Sequence, residues 1–364
     1  MRATEPNAPD VADGSRRGTD DTRPAASEPR DRRGHSARHK KGPTTMANDT
    51  AISTAGLTKH YPGVQALTDL TLDVPAGSIY GFLGPNGAGK STTIKLLAGL
   101  TRPTSGTASV AGIPVAAGPA YRREVGYLAQ DPRFYDWMTG RDTLRFVASL
   151  YPSDRGADEG RITDILERVG VADAADRRLK TYSGGMRQRL GIGQALIGRP
   201  SVLLLDEPVS SLDPIGRREV LDLMRDLRGE TSIFYSTHIL DDVERVSDHV
   251  GILDAGRLVR SAPTTELLAS FNQDRLQVVL GGADDATAVA LAGLAGVVSV
   301  EPAARDGEMR TYVVRVHAGS TAAVQAAITR YGADHGLTVA ENHLIRLGLE
   351  DVFLRLVDSK ERAA

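Results

Sequence analysis

Gly84-Pro85-Asn86-Gly87-Ala88-Gly89-Lys90-Ser91 is the stretch whose residue types and spacing point most directly to chemistry. It fits the pattern GxxxxGK[ST], set between an apolar run, Ser78 to Leu83, and a helical pattern, Lys90 to Leu100. Glycines let a backbone curl until its amide N–H groups face phosphate oxygens, and the first turn of the next helix adds a favourable field. Lys90 is then placed to reach β- and γ-phosphates, and the Ser91 hydroxyl to ligate Mg²⁺. A second stretch, Val202 to Glu207 followed by Pro208, is an apolar strand ending in two carboxylates. Beside a phosphate loop, Asp206 falls where Mg²⁺ is held, and Glu207 points toward the γ-phosphate, able to orient or deprotonate a water. A third, Tyr182-Ser183-Gly184-Gly185-Met186-Arg187-Gln188-Arg189, opens a predicted helix. Ser183 is a good N-cap there, and the two glycines let an anion approach free amides.

These residues need a scaffold, and the pattern supplies one from Ile52 onward. Runs such as Val202-Leu203-Leu204-Leu205 do not alternate, as expected of a strand covered on both faces of a parallel sheet. Ser232 to Ser236 and Val250 to Leu253 read as further strands, so residues 51–270 form an α/β domain. Between about 131 and 200 the pattern turns helical, with helices expected over Thr143 to Tyr151, Gly160 to Val169 and Gly185 to Leu196. Residues 271–364 are richer in Ala, Val and Gly and read as a small α+β domain. Its expected order is βαββαβ, the ferredoxin-like arrangement, with no polar cluster marking a pocket and a last helix from Leu349 to Asp358. Residues 1–50 are a polar tail whose first 45 residues cannot offset their ordering entropy by burial, so disorder is expected. Met46 stands just before the patterned sequence, which would fit a start codon set too far upstream.

Composition narrows the classes. The 364 residues carry a net charge of −2, which gives no bulk attraction for nucleic acid or anionic lipid. Cysteine is absent, so disulfides, thiolate metal sites and a Cys nucleophile are excluded. No run of apolar residues is long enough to span a bilayer.

Seven elements in a fixed order make the chain resemble the nucleotide-binding subunits of the ATP-binding cassette (ABC) transporters, over about residues 52–265. Tyr61 matches the aromatic residue that stacks on adenine. Gly84 to Thr92 match Walker A, and Gln130 matches the Q-loop glutamine that senses Mg²⁺ and the partner subunit. Ser183 to Met186 match the signature motif, Leu203 to Glu207 match Walker B, Ser211-Leu212-Asp213 match the D-loop, and His238 matches the H-loop histidine. Tyr182 and Met186 depart from the usual leucine and glutamine in the manner of drug-exporting members.

The resemblance implies the rest of the expectation. The cofactors are ATP and Mg²⁺, with Ser91, Gln130 and Asp206 around the metal and Glu207 and His238 as the catalytic pair. ATP is sandwiched between Walker A of one subunit and the signature helix of another, so a homodimer, or a pair with a similar ATPase, is expected. A separately encoded membrane permease supplies the pore and holds the subunit at the inner face of the membrane; nucleic acid is not expected as a partner. Phe134, Tyr135 and Trp137 either line the groove for that permease or pack within the helical region. Leu349-Glu350-Asp351-Val352-Phe353-Leu354 resembles the closing segment of ABC-2-type exporters, including the daunorubicin-resistance group. A soluble ABC ATPase acting on ribosomes or DNA is the alternative.

Overall fold

The structure, a computed structural model, describes residues 49–151, 158–210, 212–271, 275–345 and 348–354. The N-terminal tail, Ser211 of the D-loop and the last residues of the expected final helix lie outside them.

Three sheets account for the fold. A six-stranded sheet is built from β3 (Ile79–Leu83), β6 (Val125–Leu128), β7 (Val202–Asp206), β8 (Ser232–Thr237), β9 (His249–Asp254) and β10 (Arg257–Pro263). Its order is β10-β9-β3-β8-β7-β6, parallel throughout except for the antiparallel edge strand β10. All residues of β3, β7 and β8 are buried, and they divide by parity. Ile79, Leu83, Leu203, Leu205, Ile233 and Tyr235 face one core, with the helical region. Tyr80, Phe82, Leu204 and Phe234 face the other. Burial on both faces is why these strands read as unbroken apolar runs, each large side chain contributing about 1.5–3 kcal/mol.

The second core is closed by an antiparallel sheet of β1 (Thr50–Tyr61), β2 (Val64–Pro75), β4 (Ser105–Val110) and the short β5 (Ile113–Pro114), in the order β2-β1-β4-β5. This sheet was not anticipated from the sequence. Helix α1 (Lys90–Leu97) packs on β7 and β8, and α2 (Pro119–Arg122) precedes β6. The helical region holds α3 (Gly140–Ala148), α4 (Glu159–Arg168) and α5 (Gly184–Leu196), each within three residues of its expected start and end. Thr139 and Asp142 form a capping box at α3, and Asp158 caps α4. Helices α6 (Pro214–Asp226), α7 (Leu240–Val246) and α8 (Thr264–Phe271) complete this part.

Beyond it, β11 (Arg275–Gly281), α9 (Thr287–Ala292), β12 (Val297–Asp306), β13 (Met309–Val316), α10 (Thr321–Asp334) and β14 (Thr338–Leu344) follow in βαββαβ order. Their sheet is antiparallel in the order β12-β13-β11-β14. Leu276, Val278 and Leu280 alternate onto a core shared with Leu291, Val324 and Ile328. One expectation fails here. A cavity of about 430 Å³ is lined by Asp284, Asp285, Arg305, Arg310 and Tyr312, a polar cluster that sequence spacing could not assemble. Among the described residues, no helix is long and apolar enough to cross a membrane.

Candidate nucleotide and hydrolysis site

Strand β3 delivers the chain into residues 84–89, and α1 begins at Lys90. Gly84 admits no side chain, because a Cβ would lie 2.2 Å from the Leu253 carbonyl oxygen. Gly87 and Gly89 adopt φ of +85° and +107°, where L side chains are strained. The loop is anchored by Gly256 N–H donating to the Ala88 carbonyl at 2.9 Å and Thr93 N–H to that of Gly89 at 2.9 Å.

Lys90 is buried, with Nζ donating to the Gly84 and Pro85 carbonyls at 2.7 and 3.1 Å and lying 3.6 Å from Glu207 Oε1. Burial holds its pKa below the ordinary lysine value, opposed by the nearby carboxylates of Glu207 and Asp206. Asp206, also buried, ends β7; its Oδ1 accepts from Ser91 Oγ at 2.9 Å and from Ser236 Oγ at 2.7 Å. The next residue, Glu207, has φ +47° and donates its backbone N–H to Ser236 Oγ at 2.9 Å. His238 Nδ1 lies 3.1 Å from Glu207 Oε2.

One cavity of about 770 Å³ gathers much of this set. Tyr61, Asn86, Gly87, Gly89, Lys90, Ser91, Thr92, Gln130, Glu207 and His238 line it, together with Val64, Ala66 and Ser210, which sequence reasoning did not select. Tyr61 sits at the end of β1 and is 40% exposed, and Lys59 Nζ lies 4.9 Å from its ring centroid. A ring so placed can stack on a base. Gly84, Pro85 and Ala88 belong to the same loop but do not line the cavity.

Two expected residue groups lie apart from it in this chain. Ser183 caps α5 by accepting Met186 N–H at 3.2 Å, and Ser183 and Gly184 are exposed. Asp213 caps α6 by accepting Gly216 N–H at 2.8 Å. Phe134 packs on the core, as one of the two expected roles has it, whereas Tyr135 and Trp137 are 61% and 71% exposed.

The donor chemistry suits a hard divalent cation. Ser91 and Asp206 put a hydroxyl and a carboxylate oxygen side by side, the one-carboxylate set that leaves Mg²⁺ its remaining positions for phosphate and water. Gln130 lines the same cavity.

A parallel sheet with a glycine loop opening onto a helix, beside a strand-end carboxylate pair, defines a P-loop nucleotide-binding ATPase. The family described as ABC transporter matches residues 67–210. The daunorubicin/doxorubicin resistance ATP-binding protein DrrA of Streptomyces peucetius is 40% identical over 232 residues, 63% of this chain and 70% of that protein. The daunorubicin resistance ATP-binding protein DrrA3 of Streptomyces coeruleorubidus is 35% identical over 317 residues, 86% of this chain and 98% of that protein. A solved ATP-binding subunit of an ABC transporter matches with a TM-score of 0.55 and 31% identity, covering 61% of this chain and 93% of that one. The chain belongs to the ABC transporter family: it is an ATP-binding subunit, and its enzymatic activity is ATP hydrolysis.

Proposed function

We propose that two copies of this chain close around Mg·ATP and power export through a separate membrane permease. The observation that carries the reading is the single cavity joining Tyr61, Lys90, Ser91, Glu207 and His238. Tyr61 stacks on adenine, and Lys90 exchanges its loop carbonyls for phosphate oxygens. Mg²⁺, held by Ser91 and Asp206 and sensed by Gln130, supplies charge neutralisation at the phosphates when bound. Glu207 accepts the proton of the attacking water or orients it, and His238 fixes that carboxylate from the other side.

The capped N-terminus of α5 is exposed and outside the chain's own cavity, which suits a role facing the nucleotide of a second copy. Ser183, Gly184, Gly185 and the D-loop Asp213 belong to that composite site. Exposed Tyr135 and Trp137, with ring centroids 5.9 Å apart, offer the permease an aromatic surface and would hold the subunit on the inner face of the membrane. Export rather than import follows from the likeness to daunorubicin-resistance subunits. The 275–344 unit is read as a ferredoxin-like domain with an accessory role.

Two variants test this reading. Lys90→Ala removes the loop's cation and should abolish Mg·ATP binding by calorimetry. Glu207→Gln should lower turnover by roughly 10²- to 10⁴-fold while keeping ATP binding. It should also elute as a dimer in Mg·ATP, whereas Lys90→Ala stays monomeric. A Glu207→Gln protein hydrolysing at the wild-type rate would remove Glu207 from catalysis.

A further inference from the structure

Ser236 lies on β8 two residues before His238 and is fully buried. Its single hydroxyl is used twice. Oγ–H donates to Asp206 Oδ1 at 2.7 Å, and Oγ accepts the backbone N–H of Glu207 at 2.9 Å. We propose that Ser236 is a positioning residue of the hydrolysis site, locking the metal-side carboxylate and the water-side residue into one register. The inference rests on the roles given above to Asp206 and Glu207.

Glu207 holds φ +47° without being glycine, a conformation that costs about 1–3 kcal/mol and persists only where the surroundings over-determine it. The β7–β8 ladder ends at the pair Asp206 and Ser236, so the Glu207 N–H leaves the ladder and needs another acceptor. Ser236 Oγ supplies it. On the other side of the peptide, Asp206 Oδ1 receives two hydroxyl donors, Ser91 Oγ at 2.9 Å and Ser236 Oγ at 2.7 Å. Ser91 rides on α1 with the phosphate loop; Ser236 is fixed in the central strand between β3 and β7. The carboxylate is thus referenced to the sheet as well as to the loop.

A hydroxyl donates to a carboxylate and accepts an amide at one atom, which a methyl group cannot do and a thiol does only weakly. Replacing it with a methyl group strands a buried N–H beside a strained residue and removes one of two hydrogen bonds on Asp206. A purely space-filling serine would make neither contact. Groups that orient a metal ligand without touching the metal commonly control affinity or activity by about 10- to 100-fold.

The test uses the full chain, with Ser236→Ala, Ser236→Thr and Glu207→Gln side by side. Measured for each are kcat and KM against Mg²⁺ concentration, calorimetric ATP affinity in EDTA and in Mg²⁺, and melting without nucleotide. Ser236→Ala is expected to lower kcat by about 10- to 100-fold and to shrink the gain in ATP affinity on adding Mg²⁺ by a similar factor. Its ATP affinity in EDTA should match wild type. Ser236→Thr, which retains the hydroxyl, should recover most of kcat. A folded Ser236→Ala protein with wild-type kcat and Mg²⁺ response, while Glu207→Gln is inactive, overturns this inference and leaves the catalytic reading standing. So does a lower melting temperature with kcat untouched, or a threonine variant no better than alanine. Should Ser236→Ala not fold, Ser236→Cys, a weak donor and acceptor, takes its place, and full activity in that variant overturns the inference. Glu207→Gln at wild-type rate removes both.

Discussion

Gly89 illustrates how tightly single positions in the phosphate loop are constrained. It stands at φ +107°, and a Cβ there would lie 2.4 Å from the Ala66 carbonyl oxygen, a backbone atom that cannot turn aside. Gly89→Ala must therefore move the loop against β2. We expect a loss of about 1–3 kcal/mol in stability, read by urea unfolding, and ATP binding weakened at least about tenfold, read by calorimetry. A variant with wild-type affinity would mean that the loop relaxes without cost. Residues of this kind are legible in the sequence because glycine, lysine and serine at fixed spacing have few other uses. Ser236 and Ser210 are not: a lone serine near a strand end carries no pattern, and its role exists only once β7 and β8 are adjacent.

Elements were legible where burial is uniform or helical period is strong. The strands β3, β7 and β8 and the helices α3, α4 and α5 stand within a few residues of expectation. The β1–β2 pair was hidden because its register shifts four times, between Thr50 and Ile52, Thr54 and Leu57, Leu57 and Lys59, and Lys59 and His60. Each bulge breaks the two-residue alternation that would announce a strand. Strand β12 runs through Pro302 to Asp306, because a proline is tolerated on an edge strand. Between elements, α6 and α7 are tied by Arg217, whose Nε lies 2.8 and 3.0 Å from the two carboxylate oxygens of buried Asp242. Burial pushes the Asp242 carboxyl above its ordinary value, and Arg217 opposes that shift. Arg217→Ala should cost about 2–4 kcal/mol, discounted for the partial exposure of Arg217. The sign of the pH effect follows from the raised value. The folded state binds the Asp242 proton more tightly than the unfolded chain, so the penalty is full above the folded pKa and vanishes below the unfolded value of about 3.9. Unfolding in urea should show the deficit against wild type shrinking from pH 7 toward pH 4; a deficit that grows on acidification would place the lost stability elsewhere.

At the scale of the whole molecule, the chain leaves the nucleotide-binding part after α8, builds the β11–β14 sheet, and then returns. Within residues 348–354, Leu349 and Val352 are buried in the same core as Val243, Val246 and Leu267, and Phe353 packs beside them. The Glu244 carboxylate of α7 accepts the Leu349 N–H at 3.0 Å, satisfying an amide at the start of this helical turn. The segment therefore completes a core to which α7, the helix that follows His238, contributes Val243 and Val246. The sequence reading divides the chain into domains at residues 51–270 and 271–364, but the packing places two core side chains of the first part, Leu349 and Val352, beyond that boundary. Leu349→Ala should lower stability by about 2–5 kcal/mol, a fall in Tm of roughly 5–15 °C for a domain of this size. Leu354 closes the same turn but is 53% exposed, so Leu354→Ala should change stability by less than about 0.5 kcal/mol. The pair separates packing from mere chain length, because both variants keep every residue of the segment. If the melting temperatures of the two variants match, the return segment adds nothing to the nucleotide-binding core; if only Leu349→Ala melts early, the turn at residues 348–354 is part of the fold that carries the ATP site.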